Sequence, residues 1–162
     1  MNIFKTSECP IESAKALSDI HVNKMLLESL QLLSTAHVVV DGVQVAYKKT
    51  HVNHPCAIWC RESKANYMWL FQHAKALSEE YTFRTGKVHA SSRHLNALSI
   101  IPAGVMEENA TTFKRAMPDS YSRLDTTQAY RVYLNHKHKE WQAREQRPIL
   151  AKWTKRNKPE WA

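Results

Sequence analysis

The sequence predicts a mainly α protein, and three observations carry that prediction. Residues Ser18–Leu33 repeat their apolar side chains with helical period. At 100° per residue, Val22, Met25, Leu26, Leu30 and Leu33 fall on one side. The chain holds only three glycines, Gly42, Gly86 and Gly104, all where loops are expected. No alternation of strand and helix patterns runs along it. With 43% hydrophobic residues and five Trp, its 162 residues suffice for one domain around a substantial core, so 1–162 is read as a single unit.

Taken in order, Met1–Phe4 has no targeting character, and Pro10 suits the first turn of a helix over Ile11–Ala16. Asp19 is placed to cap or kink the start of the main helix, expected to run to about Thr35. His37–Tyr47 reads differently. Two β-branched runs flank Asp41-Gly42, a strong signal for a two-residue turn, so a small β-hairpin over about 37–47 or an irregular connection is expected. Lys48–His54 is a loop, and Pro55 opens a second helix. Its apolar residues, from Ala57, Trp59 and Cys60 to Tyr67, Leu70, Phe71, Ala74 and Leu77, carry it to about Phe83, before Gly86. A short helix over Ser91–Ile100 stops at Pro102. Residues 105–125 read as loop, with a turn at Met117-Pro118-Asp119. Thr126 or Thr127 caps a last long helix reaching about Arg144, ahead of Pro148.

Charge is unevenly spread. The net charge is +8, and residues 131–162 supply +6 of it, with nine Lys/Arg against three Glu. Tyr133, Trp141, Trp153 and Trp161 are interleaved with these cations. Basic side chains contact phosphates and aromatic rings stack on bases, so this segment is read as a nucleic-acid surface. Three cysteines, an odd count, and the lack of a secretory signal point to reduced thiols in the cytoplasm. No apolar run is long enough to span a bilayer.

The main helix also has a polar column. His21, Lys24, Glu28 and Gln31 fall within roughly 80° of arc. A solvated face with an exposed Lys24–Glu28 pair would be worth about 0.2–0.5 kcal/mol, and here the less favourable order is used. A functional column is the competing reading. Elsewhere, His51, His54, Cys56 and Cys60 offer four possible metal ligands in ten residues. Pro55 stiffens the middle of that run, however, and both cysteines fit a buried helical face, so no metal is assigned. Nucleophile elbows, Gly-rich phosphate loops and paired-carboxylate nuclease patterns are missing. What remains is one carboxylate, Glu28, among amines, His and Asn.

Those residues carry a resemblance. Leu17-Ser-Asp-Ile-His21, with Glu28 seven positions later, resembles the first helix of the pyrimidine-dimer DNA glycosylase family, the phage endonuclease V type. There, Leu-Ala-Asp-Gln-His precedes the catalytic Glu by the same interval. Val52-Asn-His-Pro55 resembles the Asn-His-Pro of bacterial members. In those it precedes a long helix ending near an aromatic–Arg–Gly stretch, here Tyr81-Thr-Phe-Arg-Thr-Gly86. Arg147-Pro148 followed by Trp153 and Lys155 is similar to the tail that contacts damaged DNA in the phage enzyme. Four positions depart from the pattern. Asn2 stands where the phage enzyme exposes an N-terminal Thr, and Lys24 is new one turn before Glu28. Leu27 stands where the family has an Arg before the Glu, and Gln31 where it has a DNA-contacting Arg.

The resemblance implies a compact helical fold of the endonuclease V type and a DNA N-glycosylase with AP-lyase activity on a damaged or modified pyrimidine. Neither metal nor cofactor is needed. An α-amine attacks C1′ of the deoxyribose, and near pH 7 far more of an ordinary α-amine than of a lysine is neutral. By this transfer Glu28 is the catalytic carboxylate and Met1, or the residue behind it, supplies the amine; Lys24, new here, is a second candidate amine, and His21 completes the catalytic group. Asn2, Gln31, His51, Asn53, His54, Arg61, Asn66, Arg147, Lys152, Trp153 and Lys155 are the candidate DNA or substrate contacts, with Arg61 expected to reach Glu28 or a phosphate. The partner is expected to be double-stranded DNA with the target base extruded. Two alternatives stay open: a non-catalytic DNA-binding protein on the same fold, and an enzyme acting on the N-glycosidic bond of a free nucleotide or nucleoside.

Overall fold

The second long apolar segment and the first one pack on each other, and everything else is arranged around that pair. The computed structural model describes residues 1–162 and contains six α-helices and no strand. They are α1 (Pro10–Lys15), α2 (Asp19–Asp41), α3 (Pro55–Glu62), α4 (Lys64–Thr85), α5 (Leu95–Leu98) and α6 (Thr126–Gln142). Helix α2 lies against α4 and α3, and α4 also covers α1. The expected apolar face of α2 is buried, with Val22, Met25, Leu26, Leu30 and Leu33 all at most 2% exposed. Leu32, Ser29, Ser34 and Thr35 are buried as well, so α2 is enclosed on more than one side, as a central helix should be. No helix is long and apolar enough to cross a membrane.

No hairpin forms over 37–47. Helix α2 continues to Asp41, and Gly42 (φ 70°) supplies the left-handed C-cap, its N–H bonding to Val38 O at 3.1 Å. Asp-Gly closes a helix here because burial of Ala36 and His37 outweighs the small helix penalty of three valines. The chain after Gly42 is irregular and is tied back to α2 by Ser34 Oγ donating to Tyr47 O (2.7 Å) and by Thr35 with Thr50. Gly104 is forced by a close approach: a Cβ there would stand 2.5 Å from Val40 Cγ1. Asp41 accepts from Ala103 and Gly104 N–H at the same corner.

The expected helix over Pro55–Phe83 is two helices. Ser63 is extended (φ −151°, ψ 160°) and restarts the chain as the N-cap of α4, accepting from Asn66 N–H. Helix α6 is capped by Asp125, not by Thr126 or Thr127; its carboxylate accepts from Gln128 N–H at 3.0 Å. Beyond α6 the chain has no helix and runs back over the start of α2 and the end of α4. It is held there by Asp19 N–H to Lys152 O (2.8 Å), Thr154 to Asp19, and Arg156 to Glu80.

Candidate active site

Asn2 fixes the start of the chain. Its side chain donates to Ala116 O (2.8 Å), and its Oδ1 accepts from Ile3 N–H (2.8 Å) and the Tyr130 hydroxyl (3.0 Å). Ile3 and Phe4 are buried beside it. This anchoring lays the first peptide across α2, where Asn2 N–H donates to Glu28 Oε2 at 3.1 Å. The Met1 amine stands 3.6 Å from the same oxygen. Lys24, one turn earlier on α2, brings its Nζ to 3.8 Å from Glu28 Oε1. The Glu28 side chain is 14% exposed and that of Lys24 66%, so the carboxylate is recessed and the lysine stands wet at the rim.

A pocket of about 230 Å³ opens on this carboxylate. Phe4, His21 and Met25 wall one part of it; Tyr133, Lys137 and Trp141 of α6 wall the rest. The last three are spaced by four, which places them on one face of α6. Lys137 Nζ lies 5.1 Å from the centre of the Tyr133 ring. Three cationic groups therefore surround a single carboxylate, in a cavity with aromatic sides. His21 packs edge-on to Phe4 (4.8 Å) and close to Trp141 (5.1 Å), with its Nδ1 3.3 Å from Ser18 Oγ. Burial above all, then His138, Lys24 and Lys137, pushes its pKa down to about 3. At neutral pH His21 is an uncharged wall.

A recessed carboxylate facing a chain-terminal amine is the arrangement that the sequence resemblance implies, and an independent comparison reaches the same group. The family model described as pyrimidine dimer DNA glycosylase matches residues 1–94. The chain belongs to the pyrimidine dimer DNA glycosylase family. No curated protein and no solved structure matches it. The matched stretch holds Met1, His21, Lys24, Glu28 and His54. The α6 wall of the pocket lies beyond it.

Family membership makes DNA the substrate, and the remaining candidate contacts sort by position. His54 is the N-cap of α3, and both the Met1 amine and Glu28 are among the charges acting on it. His51 and Asn53 are exposed on the same loop, His51 in left-handed backbone (φ 47°) with its Nδ1 2.7 Å from Thr50 Oγ1. Gln31 is half-buried one turn beyond Glu28.

Three expectations need correcting. Arg61 does not reach Glu28; it donates to Val52 O at 2.8 Å and braces the loop before α3. Asn66 is fully buried and joins Trp59 O to Thr111, so it is not available to DNA. The Asn2 side chain is likewise spent on anchoring. Trp153 is half-buried, with its Nε1 donating to Ala16 O (2.9 Å) and its ring edge-on to His138 at 5.5 Å. Lys155 (φ 59°) donates to Phe83 O yet is exposed, as are Arg147 and Lys152. Around Trp153 a second cleft of about 620 Å³ is lined by Lys139, Lys152, Arg156 and Lys158. No three His, Cys, Asp or Glu side chains are gathered so as to hold a metal ion. Cys56 and Cys60 are buried, and burial raises both thiols, Cys56 to about 12.

Tyr133, Lys137 and Trp141 were absent from the site expected from sequence. Their four-residue spacing within the basic, aromatic segment was the available signal.

Proposed function

We propose that the protein is a DNA N-glycosylase with an AP-lyase step, acting on a damaged or modified pyrimidine extruded from double-stranded DNA. The observation that carries this reading is the Met1 amine 3.6 Å from Glu28 Oε2, at the mouth of an aromatic, cationic pocket. The amine lone pair forms a bond to C1′ while the C1′–N bond breaks, and its electron pair leaves with the pyrimidine, which takes up a proton. The attached nitrogen then loses a proton and its lone pair expels O4′, opening the sugar to an imine. Removal of a C2′ proton next expels the 3′-phosphate. Glu28 stabilises positive charge building at C1′ and carries the protons that these steps exchange. Lys24 and Lys137 are placed to hold phosphates flanking the extruded nucleotide.

Borohydride trapping on DNA with an abasic site tests this directly. A covalent adduct mapping by peptide mass to Met1 is expected, and Glu28→Gln should lower base release by at least about a hundredfold, the scale of a lost electrostatic group. An adduct on Lys24 would move the nucleophile one turn along α2. If neither an adduct nor base release from irradiated or modified DNA is found, the protein is a DNA binder without the chemistry. Activity on free nucleosides alone would mark a nucleoside enzyme.

A further inference from the structure

We propose that His54 serves the Glu28 site as a neutral hydrogen-bond donor, its Nδ1 committed to the start of α3 and its Nε2–H offered to an acceptor oxygen of the bound nucleotide. This rests on the glycosylase reading of that site.

Geometry fixes the tautomer. Pro55 occupies the first turn of α3, which leaves His54 as N-cap (φ −66°, ψ 138°) with its Nδ1 accepting from Cys56 N–H at 3.1 Å. A ring nitrogen that accepts carries no proton, so the proton of the neutral imidazole is on Nε2. A second proton at Nδ1 would set N–H against N–H at the positive end of the helix dipole. The surroundings point the same way. Burial first, then the Met1 amine and His51, lower the pKa of His54, and only Glu28 raises it.

Placement makes the donor useful. Two residues on from His54, Cys56 Sγ lies 3.8 Å from Asn2 Oδ1, and the Asn2 N–H in turn meets Glu28 Oε2 at 3.1 Å. The start of α3 thus adjoins the residue that follows the amine. His54 is half-buried, and its Nε2 is taken up by no other side chain or carbonyl. When an N-glycosidic bond breaks, negative charge develops on the carbonyl oxygens of the departing pyrimidine. A fixed neutral donor stabilises that charge without adding a further cation beside the amine. The other acceptor within the same chemistry is a backbone phosphate oxygen.

His54→Asn separates the donor from the cap. Asn is among the best N-caps and preserves α3, but its amide is too short to replace Nε2. Base release should fall about tenfold to a hundredfold, with the thermal midpoint unchanged within about 2 °C. Cleavage of DNA that already contains an abasic site distinguishes the acceptors. It is unaffected if the partner is the base carbonyl and slowed equally if it is a phosphate. Nitrogen-15 NMR of the wild-type imidazole should report the neutral Nε2–H form at pH 7. An Nδ1–H tautomer, an imidazolium at pH 7, or unchanged rates on both substrates overturns the proposal. Failure of the wild-type protein to form the borohydride adduct would instead sink the glycosylase reading. His54 would then be judged on affinity for duplex DNA, which His54→Asn must weaken for the donor to stand.

Discussion

Residues 1–94, the stretch that the family model matches, and residues 95–162 are held in place by different forces. The first contributes twenty of the 24 residues in the hydrophobic core cluster, and the second only Leu98, Phe113, Tyr130 and Leu134. Apart from Trp161, which packs against the core, what ties the last twenty residues down is polar: Trp153 to Ala16, Thr154 to Asp19, Lys155 to Phe83, Arg156 to Glu80 and Asn135 to Trp161 O. Glu28 therefore stands on the rigid part. The α6 wall of its pocket belongs to the part that contributes less to the core. Chemistry placed on a close-packed helix keeps its geometry, and a wall built from a lightly buried element can change without unfolding the protein.

Arg84 is where the contrast is most easily broken. Its side chain is 2% exposed, pairs with Asp19 and Glu80, and donates to Leu17 O and Lys15 O. Arg84→Ala strands two buried carbonyls and removes a partner from each of two carboxylates, so a loss of about 3–5 kcal/mol is expected by urea or thermal denaturation. A loss below about 1 kcal/mol would show that the joint is not part of the rigid region.

Acid should act on the first region next. Burial, then His138, Lys24 and Lys137, holds His21 down to about 3, and burial holds His73 down to about 4 despite its bond to Pro10 O. Both are neutral when folded, while the unfolded chain takes up protons as pH falls below about 6.5. Stability is therefore complete above that value and declines below it, by about 1.4 kcal/mol per pH unit for each histidine. Glu80 acts lower. Burial alone would raise its pKa, but Arg156 and Arg84 hold it below the usual carboxylate range, so its contribution is present above the ordinary carboxylate value and is lost as pH falls from there through the lowered one. His21→Phe should flatten the upper part of the curve, recovering about 2 kcal/mol between pH 6.5 and 5. An unchanged slope in that variant would mean that His21 is charged in the folded protein.

How far the sequence revealed these regions follows the same division. Helix α2 and the placing of Glu28 were legible because an apolar period and a polar column coincide on one helix. The start of α3 was legible from Pro55, and the extent of α6 from its position ahead of Pro148, although its cap is Asp125 and not the expected Thr126 or Thr127. The hairpin expectation failed because Asp-Gly serves equally as a helix end, and the tertiary contacts that decide between them are invisible locally. The break at Ser63 was hidden for a related reason: Arg61-Glu62-Ser63-Lys64 has the polarity of an ordinary helix surface. Asn66 is of a chemical type that binds nucleic acid, but a long-range partner, Thr111, had already claimed it.

The smallest expected effect is the most informative about the second region. Arg156 meets Glu80 at 2.5 and 3.1 Å and lies over the Phe83 ring at 4.4 Å, yet its side chain is 34% exposed. Arg156→Ala leaves Glu80 paired with Arg84, so no buried charge is orphaned. The loss should stay below about 1 kcal/mol and shrink further in 1 M salt, where exposed pairs are screened. Duplex affinity should fall more visibly, because Arg156 is one of four cations lining the larger cleft. Removing a cation that neutralises one phosphate lowers the salt dependence of binding by about one unit of slope. A destabilisation as large as that of Arg84→Ala would make the C-terminal segment part of the core and abolish the distinction between the two regions. A small stability loss with a reduced salt slope would leave it as a pinned surface whose cations are turned toward DNA.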